Sequence, residues 1–186
     1  MKKFVSGLFF VVAMMFCSVA NAQNYQQMAD QTKIMAQQSY STGSNYYLNT
    51  VVPAYNQIYT NAPVDANDNI LPPKQGWSNQ QVGQYMMYIN QAQGLVNNYI
   101  NCLNDANNNT YYYNVNMDGS TYADGTHNPG ANDYYAAGNY YLAYVNYQGA
   151  LERANQRFTA FQNAYSCAVG AGQAFGNANT FYNNNP

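Results

Sequence analysis

Along this chain apolar positions recur at the helical period. In residues 77 to 108, Ser78 stands three positions before Gln81, a capping-box start, and Val82, Met86, Ile89, Val96, Ile100 and Leu103 follow at spacings of three, four and seven. Side chains so spaced fall on one face of a 3.6-residue turn, so the segment predicts a helix with one buried stripe. A longer seam begins beyond Pro129 and Gly130, where Ala137, Tyr140, Tyr144, Tyr147, Leu151, Ala154, Phe158, Phe161, Tyr165 and Ala168 alternate spacings of three and four. A strand repeats every two residues and does not produce such a series. The seam predicts one long C-terminal helix, and its aromatic content points to packing against two or more neighbours instead of a leucine-zipper dimer.

Elsewhere the pattern is weaker. Tyr25, Met28 and Met35 share a helical face, STGSN at 41 to 45 interrupts it, and Leu48, Val51, Tyr55 and Ile58 resume it, with Pro53 as a kink or first-turn residue. Residues 61 to 76, which include Pro72 and Pro73, read as a loop. The small residues at 170 to 179 follow a helix instead of a strand, so they carry no nucleotide-binding fingerprint and read as the helix end before a polar tail at 181 to 186. Four helical segments without a fixed repeat predict a mainly all-α fold, an irregular helical bundle forming a single domain over residues 23 to 180.

The first 22 residues have a different character. Lys2 and Lys3 precede an apolar run from Phe4 to Cys17, followed by Ala20-Asn21-Ala22, the small-x-small pattern of a signal-peptidase site. Export through a bacterial Sec-type route, with cleavage after Ala22, is the expectation; the product is secreted or periplasmic, with no membrane insertion once the leader is gone. Phe16 before Cys17 argues against lipidation.

Export bears on the cysteines. Cys102 and Cys167 survive cleavage, and an even pair in an oxidising compartment predicts a disulfide. Such a bond constrains the path of the chain. With one helix running from about residue 134 to Cys167, residues 105 to 133 must travel the length of the bundle, unless the long helix bends at Gly138 or Gly149; the uninterrupted seam favours the first route. Those intervening residues predict a long Tyr- and Asn-rich loop with a small β-hairpin turning at Asp118-Gly119.

Composition narrows the chemistry. The mature chain holds 29 Asn, 17 Gln and all 21 Tyr, but four basic and eight acidic side chains. It is solvated by neutral amides and phenols whose hydrogen bonding depends little on salt. A net negative chain with no basic patch argues against nucleic acid and anionic lipid. In the long loop, Tyr111, Tyr112, Tyr113 and Tyr122 offer ring faces, and Asn114 and Asn116 offer amides, to a sugar or peptide; these six are the candidate ligand-binding residues.

Catalytic signals are absent. His127 is the sole histidine, and a Ser-His-Asp arrangement would need a distant serine with no nucleophile-elbow motif. Asp118, Ser120 and Asp124 lack the order of a calcium loop, and Asp65 and Asp68 read as turn chemistry. Glu152, beside Arg153 and Arg157, reads as a solvated helix face. Neither a metal nor a cofactor is expected. The sequence thus predicts an exported, non-enzymatic binding or structural protein of the bacterial envelope or extracellular matrix that engages a neutral partner: a glycan, cell-wall material or an envelope protein. The competing readings are a small secreted or periplasmic hydrolase using scattered carboxylates, and a self-assembling matrix protein.

Overall fold

In a computed structural model, the backbone is described from Lys2 to Pro186 and the side chains from Ala22 onward. The leader expected at residues 1 to 22 lies, Ala22 apart, outside the residues whose side chains are described. The chain is mostly helical, as the periodicity predicts. Helix α1 (Lys2–Tyr46) passes into a π-helical turn (Tyr47–Val51) and α2 (Val52–Asn56); then come α3 (Asn79–Asp118), β1 (Ser120–Thr121), β2 (His127–Asn128), α4 (Ala131–Ala136) and α5 (Tyr140–Asn184).

The residues form two compact units. The first comprises Met1–Tyr40 with Asn109–Asn155, and the second Ser41–Asn108 with Gln156–Pro186. Helices α1, α3 and α5 contribute to both. The core of the first unit is Ala29, Ala36, Tyr113, Met117, Ala131, Ala143, Tyr147, Ala150 and Ala154. That of the second gathers Val51, Ile58, Tyr85, Ile89, Tyr99, Phe161 and Phe175 around Ala92, Ala106, Ala164, Ala168, Ala171 and Ala178. Alanine, the best helix former, lets backbones approach closely, and aromatic rings fill the spaces between.

This core shifts the predicted stripes. On α3, Ile89 is buried while Val96 and Leu103 border the core, but Met86 and Ile100 are exposed and Tyr85, Ala92 and Tyr99 take the inward positions. On α5, Tyr147, Ala154, Phe161 and Ala168 lie inward as expected, whereas Tyr165 stays about one-third exposed and Ala137 lies outside the helix, at the cap of α4. Burial continues through Ala171, Ala174, Phe175 and Ala178, so residues 170 to 179 continue α5 instead of ending it. The helix reaches Asn184, with Phe181 and Tyr182 against the Trp77 ring and the Asn185 carbonyl accepting from Lys74 Nζ at 2.8 Å.

Several local expectations hold. The capping box forms: Ser78 N–H donates to Gln81 Oε1 at 2.9 Å, and Gln81 N–H to Ser78 Oγ at 3.3 Å. Residues 61 to 76 form a loop, closed by a bridge between Val64 and Ile70. Pro53 produces the irregularity expected of it. It lies in the first turn of α2, and the preceding ladder has slipped so that Val52 N–H reaches the carbonyl of Tyr47, five residues back.

Three expectations are corrected. First, STGSN does not interrupt α1, because Gly43 is buried where Arg157 and Phe158 leave space only for a hydrogen: an added Cβ would lie 3.2 Å from Arg157 Nη1. Second, the long loop is shorter than predicted, since α3 runs to Asp118 and carries residues 105 to 118 as helix. Tyr113 and Met117, four apart, bury one face of that extension and override the weak helix propensity of its asparagines. The hairpin is a two-residue pair, Ser120 with Asn128 and Thr121 with His127, so Gly119 precedes β1 instead of forming the turn. Third, residues 134 to 167 are not one helix. Gly138, at φ +75°, ends α4: its N–H donates to Tyr135 O at 3.0 Å and that of Asn139 to Tyr134 O at 2.8 Å, the bond pair of a Schellman cap, and Asn139 Oδ1 then accepts from Leu142 N–H to start α5.

The expected disulfide is also absent. Cys102 and Cys167 are free thiols in the second unit, neighbours in hydrogen-bond contact but not at bonding distance. Burial, then the neighbouring Cys167 and Asp105, push the Cys102 thiol up from its usual value and keep it protonated.

Candidate functional site: an uncharged amide-lined groove

An open groove of about 850 Å³ lies on the second unit between residues 49–61 and residues 165–180. Its origin is local. The slipped turn before Pro53 and the end of α2 at Asn56 leave residues 57 to 62 to continue as successive turns, with Thr60 N–H on Gln57 O and Ala62 N–H on Tyr59 O. Opposite them α5 presents Ala168, Gly172 and Gly176, spaced four apart. A Cβ on Gly172 would lie 3.7 Å from Gln57 O, and one on Gly176 3.9 Å from Asn61 Cβ. Ala54 on one side and Ala168, Gly172 and Gly176 on the other are the small residues of the lining.

The walls are amides and hydroxyls: Asn49, Thr50, Gln57 and Asn61 on one side, Gln173, Asn177, Asn179 and Thr180 on the other, with the Tyr165 ring nearby. Among the described residues, the side chains of Asn49, Asn61, Gln173 and Asn177 find no hydrogen-bond partner, and all four are exposed. No lining residue is charged, and none is a carboxylate, histidine or thiol. The groove can hold a neutral polar group by hydrogen bonds and shape.

The six predicted residues fall on different surroundings. Tyr111 and Tyr112 are exposed near the end of α3, their rings in edge contact at 5.3 Å, and the Arg153 guanidinium covers Tyr112 at 4.9 Å. Asn114 is exposed on the same helix. Tyr113 turns inward and stacks on Tyr40 at 4.3 Å, and Asn116 packs against Gly149, 3.1 Å from where a Cβ would stand. Tyr122 lies in the loop between β1 and β2 and is exposed. The groove was missed because its glycines and amides sit where composition reads as a polar tail. Gly172 with Gly176 and Gln173 with Asn177, two adjacent four-residue spacings, are the sequence signal that marks it.

The other candidate groups serve the fold. His127 Nε2 lies 2.9 Å from Asp133 Oδ2, and Thr121 Oγ1 lies 3.3 Å from Nδ1, so hydroxyl, imidazole and carboxylate stand in a row. The row fastens a loop. Asp133 also accepts the Gly130 N–H at 2.9 Å; that bond first, and His127 second, hold its carboxyl below the usual carboxylate range. Gly119 and Gly130 cross so closely that a Cβ on Gly119 would meet the Asn128 carbonyl and one on Gly130 the Gly119 nitrogen. Asp118 accepts from Asn132 at 2.6 Å and Asp124 from the Thr126 N–H at 2.9 Å, while Asp65 accepts the N–H groups of Asn67 and Asn69, the turn role expected of it. Among the described residues, no three His, Cys, Asp or Glu side chains converge to hold a metal, and no helix is long and apolar enough to cross a membrane.

The chain matches no protein-family model, no curated protein and no solved structure.

Proposed function

We propose that this is an exported, non-enzymatic binding protein of the bacterial envelope or extracellular matrix, and that it holds a neutral partner in the groove of the second unit. One observation carries the reading: the walls are amides and hydroxyls, several without partners in the protein, and no lining residue bears a charge. A site built so gains little from ionic attraction and favours partners with both donors and acceptors. The leader at residues 1 to 22 supports delivery outside the cytoplasm, and the amide-rich surface suits a medium of changing ionic strength. The exposed Tyr111, Tyr112, Asn114 and Tyr122 supply a second, flatter contact face on the first unit.

The binding reading is tested by co-sedimenting the mature protein with insoluble envelope material at low and high salt. Retention that is independent of salt and lost in Gly176→Gln supports the groove. Retention that disappears with salt, or is unchanged in Gly176→Gln, overturns it.

A further inference from the structure

We infer that the groove's ligand is an uncharged, linear glycan about four pyranose rings long, an inference that rests on the groove being the binding site. Length comes first. The α5 wall from Tyr165 to Thr180 rises roughly 22 Å at about 1.5 Å per residue, room for about four linked rings. The opposite wall is built by residues 49 to 61.

Chemistry then separates a sugar from a peptide. An extended peptide is recognised by main-chain bonds to a free strand edge and by pockets for alternate side chains. This groove has neither: its walls are helix and consecutive turns, and its floor is Ala54, Ala168, Gly172 and Gly176. An open groove whose lining includes Ala54, Ala168, Gly172 and Gly176 instead leaves room for the broad face of a pyranose ring. Sugar hydroxyls both donate and accept, as do the amides of Asn61, Gln173 and Asn177 that face them. Tyr165, about one-third exposed and in edge contact with Tyr46 at 6.3 Å, adds an aromatic side chain that the C–H side of a sugar can pack against at one end of the row. A charged polymer finds no counter-charge in the lining.

The experiment titrates the full mature protein with cellotetraose and with the β-1,4-linked N-acetylglucosamine tetramer, both uncharged, following backbone amide resonances. A neutral hexapeptide of Gln, Asn and Ala is the competing probe. Saturable shifts confined to residues 49–61 and 165–180 are expected for at least one sugar. Affinity should be weaker for the disaccharide, level from tetramer to hexamer, and unaffected by salt. Asn177→Ala and Tyr165→Ala should each weaken it about three- to tenfold, the size of one lost hydrogen bond or ring contact. Gly176→Gln should abolish it while the protein stays folded, because its Cβ meets only Asn61 at an ordinary distance and glutamine is the better helix former. The inference is overturned by any one of these results: no saturable binding of either sugar, sugar shifts that survive Gly176→Gln, or saturation of the same resonances by the peptide alone. When envelope retention is lost in Gly176→Gln but no sugar binds, the groove stands and the glycan assignment falls; when retention also ignores the variant, both fall.

Discussion

Three consecutive tyrosines at 111 to 113 test the register of α3. Tyr113 is 7% exposed and stacks on Tyr40 with ring centroids 4.3 Å apart. A buried tyrosine removes on the order of 150 to 200 Å² from water, so truncation to Ala forfeits about 4 kcal/mol at about 25 cal/mol per Å². A compact unfolded state lowers that figure and the lost stacking raises it, leaving about 3 to 5 kcal/mol for Tyr113→Ala. Tyr111 is 60% exposed and touches another exposed ring, and alanine is the better helix former, so Tyr111→Ala should cost under about 1 kcal/mol. Tyr112→Ala also loses the contact with Arg153 and should cost about 1 kcal/mol. Urea titrations of the three variants, followed by far-UV circular dichroism with the slope of each transition checked against wild type, measure the differences. Equal large losses in Tyr111→Ala and Tyr113→Ala, with Tyr112→Ala distinct, are the signature of a strand and would refute the helical register.

Gly119→Ala should destabilise the first unit more than Gly125→Ala. Both glycines have φ above +70°, but only at Gly119 does the new Cβ meet backbone, so the thermal-melting difference between the two variants isolates crowding from the roughly 1 to 2 kcal/mol left-handed penalty they share. Burial above all, reinforced by the neighbouring Tyr182, Tyr47 and Tyr135 respectively, pushes the hydroxyls of Tyr85, Tyr99 and Tyr147 up to about 12. Their folded values exceed the unfolded one near 10, so the stability they contribute is complete below pH 10 and is lost as pH rises toward 12; phenolate absorbance should show these three ionising with unfolding, and their early titration in the folded protein would contradict the burial.

What the residues alone determine here is local. Ser78 and Gln81 start α3 because their bonds span three residues, Pro53 disturbs the ladder because it has no N–H to give, and Gly138 ends α4 because its φ of +75° is cheap only for glycine. The helical class also follows from spacing, since a repeat of three and four survives even when its members are imperfectly chosen. Which face goes inward does not follow. Met86 and Ile100 are more apolar than Ala92 and Ala106, yet the alanines are buried, because close helix approach selects for small size and the neighbouring helix decides where approach occurs. Tyrosine, apolar in its ring and polar at its tip, fits either side, so Tyr113 inward and Tyr111 outward are settled only by what lies opposite each. Residues 41 to 45 and 105 to 118 are poor helix formers, and long-range contacts at Gly43, Tyr113 and Met117 hold them helical against their propensity. The groove needs partners 115 residues apart, Gln57 and Asn61 facing Gly172 and Gly176. Each half reads alone as an ordinary polar segment, and only packing turns the two into a wall and a floor.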